Sequence, residues 1–115
     1  MIFEILSPYD LPVYFARKNS LNLDIREEEE YNKVHIPTAK HYSDFTDDGN
    51  EVISTELVKN YSDVIVYCQH GTSSIDTGID LCRRINKESK EDRVGKIYSL
   101  YGGISNYGGI KIEKI

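Results

Sequence analysis

Apolar positions along the chain form two kinds of pattern: short continuous or alternating runs, and longer stretches with helical spacing. The short runs predict strands at residues 3–6, 21–25, 39–42, 64–67 and 96–100. The helical stretches predict one helix that begins at Ser7 and Pro8, and others at residues 28–34, 55–61 and 73–87. Strands and helices therefore alternate, which predicts an α/β fold with a parallel sheet and helices on both faces.

Two of these segments carry most of the pattern. Residues 64–67 read Val-Ile-Val-Tyr, a continuous apolar run that is typical of a parallel strand buried on both faces. The segment 73–87 is the longest helical stretch. Its apolar stripe is predicted at Ile75, Ile79, Cys82 and Ile85.

Length and composition limit the class of protein. The 115 residues suit one domain, residues 1–115, and 39% of them are hydrophobic, enough for one core. No apolar run is long enough to span a bilayer, and the first residues lack the basic and small-residue features of a signal peptide. We therefore expect a cytoplasmic protein with no membrane partner.

Charge and cysteine content indicate which binding partners and cofactors are not expected. The net charge is −5, and an acidic surface repels phosphate backbones, so we expect no nucleic-acid partner. The acidic run at residues 27–30 is interpreted as the solvated start of a helix. Two cysteines and three scattered histidines show no metal-ligand spacing, and a disulfide is not expected in a cytosolic chain. No metal or other cofactor is predicted.

The segment between the strand at 64–67 and the helix at 73–87 is the candidate for chemistry. Cys68 follows the strand directly, and ligands in open α/β sheets bind beyond the carboxyl ends of the strands. Gly71 permits a positive φ or a close backbone approach, and the helix N-terminus adds positive partial charge. Both effects favour a reactive thiolate. The expected substrate-binding loop is Gln69, His70, Gly71, Thr72 and Ser73, with backbone amides, and the Thr72 and Ser73 hydroxyls, as donors.

The two cysteines receive different interpretations. The alternative for Cys68 is a small buried side chain at a strand end, but the glycine loop and the helix that follow favour a functional thiol. Cys82 lies on the apolar stripe of its helix, and we expect it to pack in the core.

Three groups of residues resemble the signatures of the rhodanese family, in family order over nearly the whole chain. The first is Leu-Asp-Ile-Arg at 23–26 with Glu-Tyr at 30–31 and His-Ile-Pro-Thr-Ala at 35–39; the others are the loop from Cys68 to Ser74, and Leu-Tyr-Gly-Gly at 100–103 with Tyr107. The resemblance implies a five-stranded parallel sheet and a cysteine that accepts sulfane sulfur. It also implies that Asp24 and Arg26 organise the region below the loop. Arg26, Glu30 and His35 are interpreted as mainly structural.

The chain departs from the family pattern at three points. Lys33 and Val34 stand where the family has glycine before His35, and Thr38 stands where it usually has glycine. Many members carry arginine inside the loop, whereas this chain has Gln69 and Ser73 at those positions. His70 is then the only loop side chain that can become cationic.

The leading hypothesis is a sulfurtransferase that forms a persulfide on Cys68. It would take sulfur from thiosulfate or from a small-molecule or protein persulfide, and pass it to a thiol or cyanide acceptor. Weak activity with thiosulfate, a dianion, is expected because the loop lacks arginine. One alternative is a non-catalytic binding or regulatory module. The other is a dual-specificity phosphatase or arsenate reductase, which would need arginine where Ser74 stands.

Overall fold

A computed structural model of the chain describes residues 2–47, 51–88 and 95–113. Its strands are β1 (Ile2–Leu6), β2 (Ser20–Asp24), β3 (Val34–His35), β4 (Lys40–His41), β5 (Asp63–Tyr67), β6 (Lys96–Leu100) and β7 (Ile112–Glu113). Its helices are α1 (Pro12–Phe15), α2 (Glu28–Lys33), α3 (Thr55–Val58) and α4 (Ser73–Glu88). Two 3₁₀ turns lie at Tyr42–Phe45 and Ile104–Asn106.

Five strands form one parallel sheet in the order β1-β6-β5-β2-β4. The predicted five-stranded parallel sheet is therefore confirmed. Successive side chains along these strands point to opposite faces of the sheet, and a hydrophobic core lies on each face. The core that includes α3 and α4 contains Leu21, Leu23, Val64, Val66, Leu81, Cys82, Ile85 and Ile97. The opposite core, against which α1 and α2 pack, contains Leu6, Ile65, Tyr67, Tyr98, Leu100 and Ile104.

Strand β5 lies in the middle of the sheet, and its residues 64–67 are fully buried. Because the strands are parallel, the carboxyl ends of β2, β5 and β6 meet at one edge of the sheet. Asp24 at the end of β2 is in register with Tyr67 at the end of β5. This edge is where the fold places the residues that follow Tyr67.

The first helix begins later than its sequence signals indicated. Residues 8–11 form turns, in which the N–H of Asp10 donates to the carbonyl of Ser7 at 3.0 Å, and α1 starts at Pro12. A continuous helix from Pro8 would need an N–H at Pro12 to bond the carbonyl of Pro8, and proline has none. The prediction of a helix start at Ser7 and Pro8 was therefore wrong, because the second proline decides where the helix can begin.

The buried stripe of α4 also differs from the prediction. Ile79 is 38% exposed and Ile75 only half-buried, whereas Gly78 faces the sheet. A Cβ on Gly78 would overlap the ring of Phe3 in β1, so the absence of a side chain lets helix and sheet approach closely. The buried residues of α4 are Ser74, Gly78, Leu81, Cys82 and Ile85.

A tight turn leads from β3 into β4. The N–H of Ala39 donates to the carbonyl of Ile36 at 3.0 Å, and Thr38 between them has φ 67°. A β-branched residue is strained in this left-handed region, which glycine adopts readily. The turn therefore holds Thr38 in an unfavourable backbone conformation.

The two-residue strands β3 and β7, which pair antiparallel outside the five-stranded sheet, were not predicted from the sequence. Two residues are too few to produce an alternating pattern. Within the described ranges, no helix has the length and apolar character to cross a membrane.

Candidate active site

The loop between β5 and α4 surrounds one sulfur atom with hydrogen-bond donors. The Sγ of Cys68 accepts from the N–H of Gly71 at 3.1 Å and from the N–H of Ser74 at 3.4 Å. The hydroxyl of Ser74 lies 3.4 Å from the same sulfur. The N–H of Gly71 in the loop and that of Ser74 in the first turn of α4 therefore point toward the sulfur of Cys68.

These donors lower the pKa of the Cys68 thiol. Burial by itself raises the pKa of Cys68, because a desolvated thiolate is costly. Hydrogen bonds from the side chain and N–H of Ser74, and from the N–H groups of Gly71 and His70, lower this pKa by more, so the net shift is downward. The site therefore stabilises a thiolate, the nucleophilic form of cysteine.

The loop rests on the turn that follows β6. The N–H of Ile104 donates to the carbonyl of Cys68, and the N–H of Ser105 to that of Gln69, both at 3.0 Å. Gly103 between the strand and these donors has φ 66°, and a Cβ there would lie 2.5 Å from the carbonyl oxygen of Cys68. Only glycine permits this approach, which explains the Gly-Gly pair after β6 in structural terms.

Gly71 meets the same turn from the other side. It has φ 91°, and a Cβ on Gly71 would lie 2.7 Å from the backbone nitrogen of Gly102. A side chain at Gly71 would therefore push the loop off the turn and displace the N–H that Gly71 presents to Cys68. The two backbone segments hold each other in place.

Asp24 and Arg26 form a buried ion pair next to the loop. The Nη2 of Arg26 donates to Asp24 at 2.8 Å and to the carbonyl of Val34 at 2.6 Å. Its Nη1 lies 3.2 Å from Oε1 of Gln69. Because a guanidinium can only donate, the amide oxygen of Gln69 is the atom that faces Arg26. Burial lowers the pKa of Arg26, but Asp24 raises it by more, so this cation persists next to the loop.

The remaining predicted loop residues lie at the surface. Gln69 is half-buried, and His70, Thr72 and Ser73 are exposed. The Nδ1 of His70 lies 3.1 Å from Oγ of Ser105. The described contacts of the Cys68 sulfur do not include the Thr72 or Ser73 hydroxyl, which we had expected to add donors. The hydroxyl at the sulfur belongs to the next residue in the chain, Ser74.

Other residues singled out in the sequence lie away from the sulfur. The Nδ1 of His35 lies 3.0 Å from the carbonyl of Tyr31, and the two rings stack. Cys82 is buried in the core of the α4 face. Among the described residues, no cluster of three or more histidine, cysteine or acidic side chains could hold a metal ion.

Two serines near the sulfur were not singled out from the sequence as hydrogen-bonding groups. Ser74 was interpreted as the end of the loop that resembles the family signature and as the position where a phosphatase would carry arginine, whereas the structure puts its hydroxyl 3.4 Å from Sγ of Cys68. The Oγ of Ser74 in turn lies 2.7 Å from Oγ of Ser99 in β6. A small polar residue between Tyr98 and Leu100, in an otherwise buried strand, was the only signal for Ser99.

Solved structures with this fold have different activities. A rhodanese-related protein from Thermoplasma volcanium has a TM-score of 0.68 at 19% identity, and the alignment covers 96% of this chain and 99% of that one. A thiosulfate sulfurtransferase from Pseudomonas aeruginosa has a TM-score of 0.65 at 16% identity, covering 96% and 19%. A yeast protein tyrosine phosphatase of the rhodanese family has a TM-score of 0.62 at 19% identity, covering 91% and 83%. At these identities the likeness shows a common fold and leaves the activity open.

A search of the curated proteins finds no significant match. The family model described as the rhodanese-like domain matches residues 8–109. That match includes β2, the loop that begins at Cys68 and the Gly-Gly turn after β6. Since it spans most of the sequence, the chain belongs to the rhodanese-like domain family.

Proposed function

We propose that this protein is a sulfurtransferase that carries sulfane sulfur as a persulfide on Cys68. The observation that carries the proposal is the set of donors on one sulfur atom, the N–H groups of Gly71 and Ser74 and the Ser74 hydroxyl. Such preorganised donors favour a thiolate before reaction and an anionic persulfide after it. A cysteine kept only for packing would not need them.

The reaction would proceed in two displacements. The Cys68 thiolate attacks the outer sulfur of thiosulfate, the bond between the two sulfur atoms breaks, and sulfite leaves with the electron pair. With a persulfide donor, a thiolate leaves instead. A thiol or cyanide then attacks the outer sulfur of the Cys68 persulfide, which returns the Cys68 thiolate. The identities of the sulfur donor and of the sulfur acceptor are part of this proposal.

Phosphatase or arsenate reductase activity is the less favoured alternative. Those reactions need a guanidinium that grips the oxygen atoms of the substrate from the loop. The loop position concerned is Ser74, which is fully buried with its hydroxyl on Cys68. The nearby guanidinium of Arg26 is buried and already bonded to Asp24, Val34 and Gln69. Two observations therefore weigh against oxyanion binding of that kind.

A non-catalytic binding module remains the second candidate. Cys68 is only 7% exposed, and the loop has no arginine to attract an anionic donor. A domain that had lost turnover could retain this architecture and use the loop as a contact surface. This candidate and the sulfurtransferase differ in whether the Cys68 sulfur accepts another sulfur atom.

Mass spectrometry of the intact protein tests the proposal. We expect the protein, as purified or after incubation with thiosulfate or a persulfide donor, to gain the mass of one sulfur atom on Cys68. Cyanide should remove that mass and release thiocyanate. The Cys82→Ser variant should load in the same way. Folded protein that never gains sulfur from either donor would favour the binding module.

A further inference from the structure

Ser99 is a buried polar residue that the proposed reaction does not yet explain. It lies in β6, is 1% exposed, and its Oγ is 2.7 Å from Oγ of Ser74. Ser74 is 0% exposed, and its Oγ is 3.4 Å from Sγ of Cys68. Burying a hydroxyl is costly unless it is hydrogen-bonded, so two buried serines in line with a sulfur atom need a common explanation.

We propose that Ser99 is a positioning residue that acts through Ser74 on the sulfur of Cys68. A thiolate can only accept hydrogen bonds, so the single hydroxyl proton of Ser74 must point to Sγ. The oxygen of Ser74 is then free to accept the proton of Ser99. The two hydroxyls form a chain that ends on the sulfur, and each bond in such a chain strengthens the next.

The chain also suits the protonated form of the cysteine. When Cys68 carries its proton, the S–H donates to Oγ of Ser74, and Ser74 donates to Oγ of Ser99. Serine hydroxyls rotate, so the pair can reverse direction without moving the backbone. Ser99 also lines a cleft of about 580 Å³, together with Ile5, Ile75 and Tyr101.

Charged groups near the loop do not duplicate this role. The imidazole of His70 contacts Ser105, and Arg26 is paired with Asp24 and contacts the loop at Gln69. On α4, Asp76 is exposed in the first turn; on β5, the phenol of Tyr67 accepts from the N–H of Ile36 at 3.1 Å on the opposite face of the sheet. Among the described residues, the groups that contact the sulfur include the N–H groups of Gly71 and Ser74 and the hydroxyl of Ser74, which Ser99 supports. In a loop without arginine, neutral hydroxyls carry part of the stabilisation that a cation would supply.

The test is the pH dependence of Cys68 alkylation in the full chain, with peptide mass spectrometry to separate Cys68 from Cys82. The variants are Ser99→Ala, Ser74→Ala and the double variant. Ser20→Ala is the matched control, since among the described residues Ser20 also has a buried hydroxyl in the sheet, but without a hydrogen-bond partner. Alkylation needs no sulfur transfer, so this measurement stands even if the proposed function fails.

We expect Ser99→Ala to move the alkylation midpoint to higher pH and to slow alkylation below that midpoint roughly 3- to 10-fold. Ser74→Ala should have at least this effect, and the double variant should resemble Ser74→Ala, because Ser99 acts through Ser74. Ser99→Thr should restore the wild-type profile. If Ser99→Ala does not fold, Ser99→Cys, a weaker donor of similar size, should give the same direction of shift.

Two results would overturn the inference. One is a Ser99→Ala profile that matches Ser20→Ala and the wild type. The other is an equal effect of Ser99→Ala with and without the Ser74 hydroxyl, which would mean that Ser99 acts by another route. The expected effect of Ser99 on sulfur transfer rests on the proposed function. If that function is correct, Ser99→Ala should slow persulfide formation by the same factor as alkylation.

Discussion

The two cysteines of this protein have almost the same burial and very different surroundings. Cys68 is 7% exposed and Cys82 is 8% exposed. The sulfur of Cys68 lies among N–H donors of Gly71 and Ser74, whereas Cys82 packs beside Leu81 and Ile85 in the core. Equal burial can therefore leave two thiols in different polar surroundings. N–H groups that point at a sulfur atom favour its thiolate form.

The difference follows from position along the helix. The first N–H groups of a helix have no partner within it, and in α4 that of Ser74 bonds the sulfur of Cys68. Cys82 lies in the interior of α4, where N–H groups bond carbonyls one turn earlier. A side-chain amide, the Nδ2 of Asn86, lies 3.7 Å from its sulfur. The sulfur of Cys68 can therefore accept hydrogen bonds from N–H groups at the start of α4. The backbone N–H groups around Cys82 are already bonded within the helix.

The strongest test of this comparison replaces each cysteine with serine. Cys68→Ser should abolish sulfur loading, because a serine hydroxyl is not ionised at neutral pH and cannot form a persulfide. Cys82→Ser should load normally but lose about 1–2 kcal/mol of unfolding free energy, since it puts a hydroxyl in an apolar core. Mass spectrometry and denaturant unfolding measure the two effects. Equal loss of loading in both variants, with both folded, would mean that the cysteines do not have separate roles.

The next test displaces the loop that carries the N–H donors and leaves Cys68 in place. Gly103→Ala should slow Cys68 alkylation roughly tenfold or more, because the new Cβ would collide with the carbonyl of Cys68 and displace the loop. Gly108→Ala is the control, since a Cβ there meets nothing within 4 Å. Alkylation rates and unfolding curves of both variants should be compared. A Gly103→Ala protein that alkylates Cys68 at the wild-type rate would show that loop placement is not needed.

A third test uses the wild-type protein alone. Donors at the sulfur lower the pKa of Cys68 despite its burial, so the thiolate should persist at pH values where an unfolded cysteine is protonated. Alkylation of Cys68 should therefore fall off at lower pH in the folded protein than in the same chain unfolded in urea. Cys82 in the folded protein should stay largely unmodified. An alkylation midpoint for Cys68 at or above the pH found for the unfolded chain would contradict the claim that the N–H groups of Gly71 and Ser74 stabilise its thiolate.

The smallest expected effect concerns attraction of an anionic donor. Ser73→Arg should lower the Michaelis constant for thiosulfate about two- to fivefold at low salt, because Ser73 is exposed beside the loop and an exposed charge contributes little more. Gln69→Arg should help less, since it replaces an acceptor of Arg26 with a second cation. Steady-state kinetics at low and high ionic strength measure both. An unchanged Michaelis constant for thiosulfate in folded Ser73→Arg protein would contradict the claim that a missing positive charge in the loop weakens thiosulfate binding.

The sequence by itself determined which segments form the parallel strands and the position of the candidate nucleophile, Cys68. Continuous apolar runs predicted the strands, and the run before Cys68 became the central strand of the parallel sheet. Parallel strands end at one edge, so a cysteine directly after such a strand lies where ligands bind. These conclusions need only local patterns and one rule of topology. The start of α1 at Pro12 shows the limit, since there two local signals competed and the later one decided.

Only the tertiary structure decided what surrounds the sulfur. Ser99 meets Ser74 from 25 residues away, and Gly103, in the turn after β6, lies against the carbonyl of Cys68. Ser74 itself was visible in the sequence, but the direction of its hydroxyl depends on how α4 begins against β6. Strand register and helix packing set such contacts, and both result from the whole core instead of a local pattern. Continuous apolar runs predicted the buried strands, whereas the packing of distant segments decided which face of α4 is buried and which buried polar atoms meet.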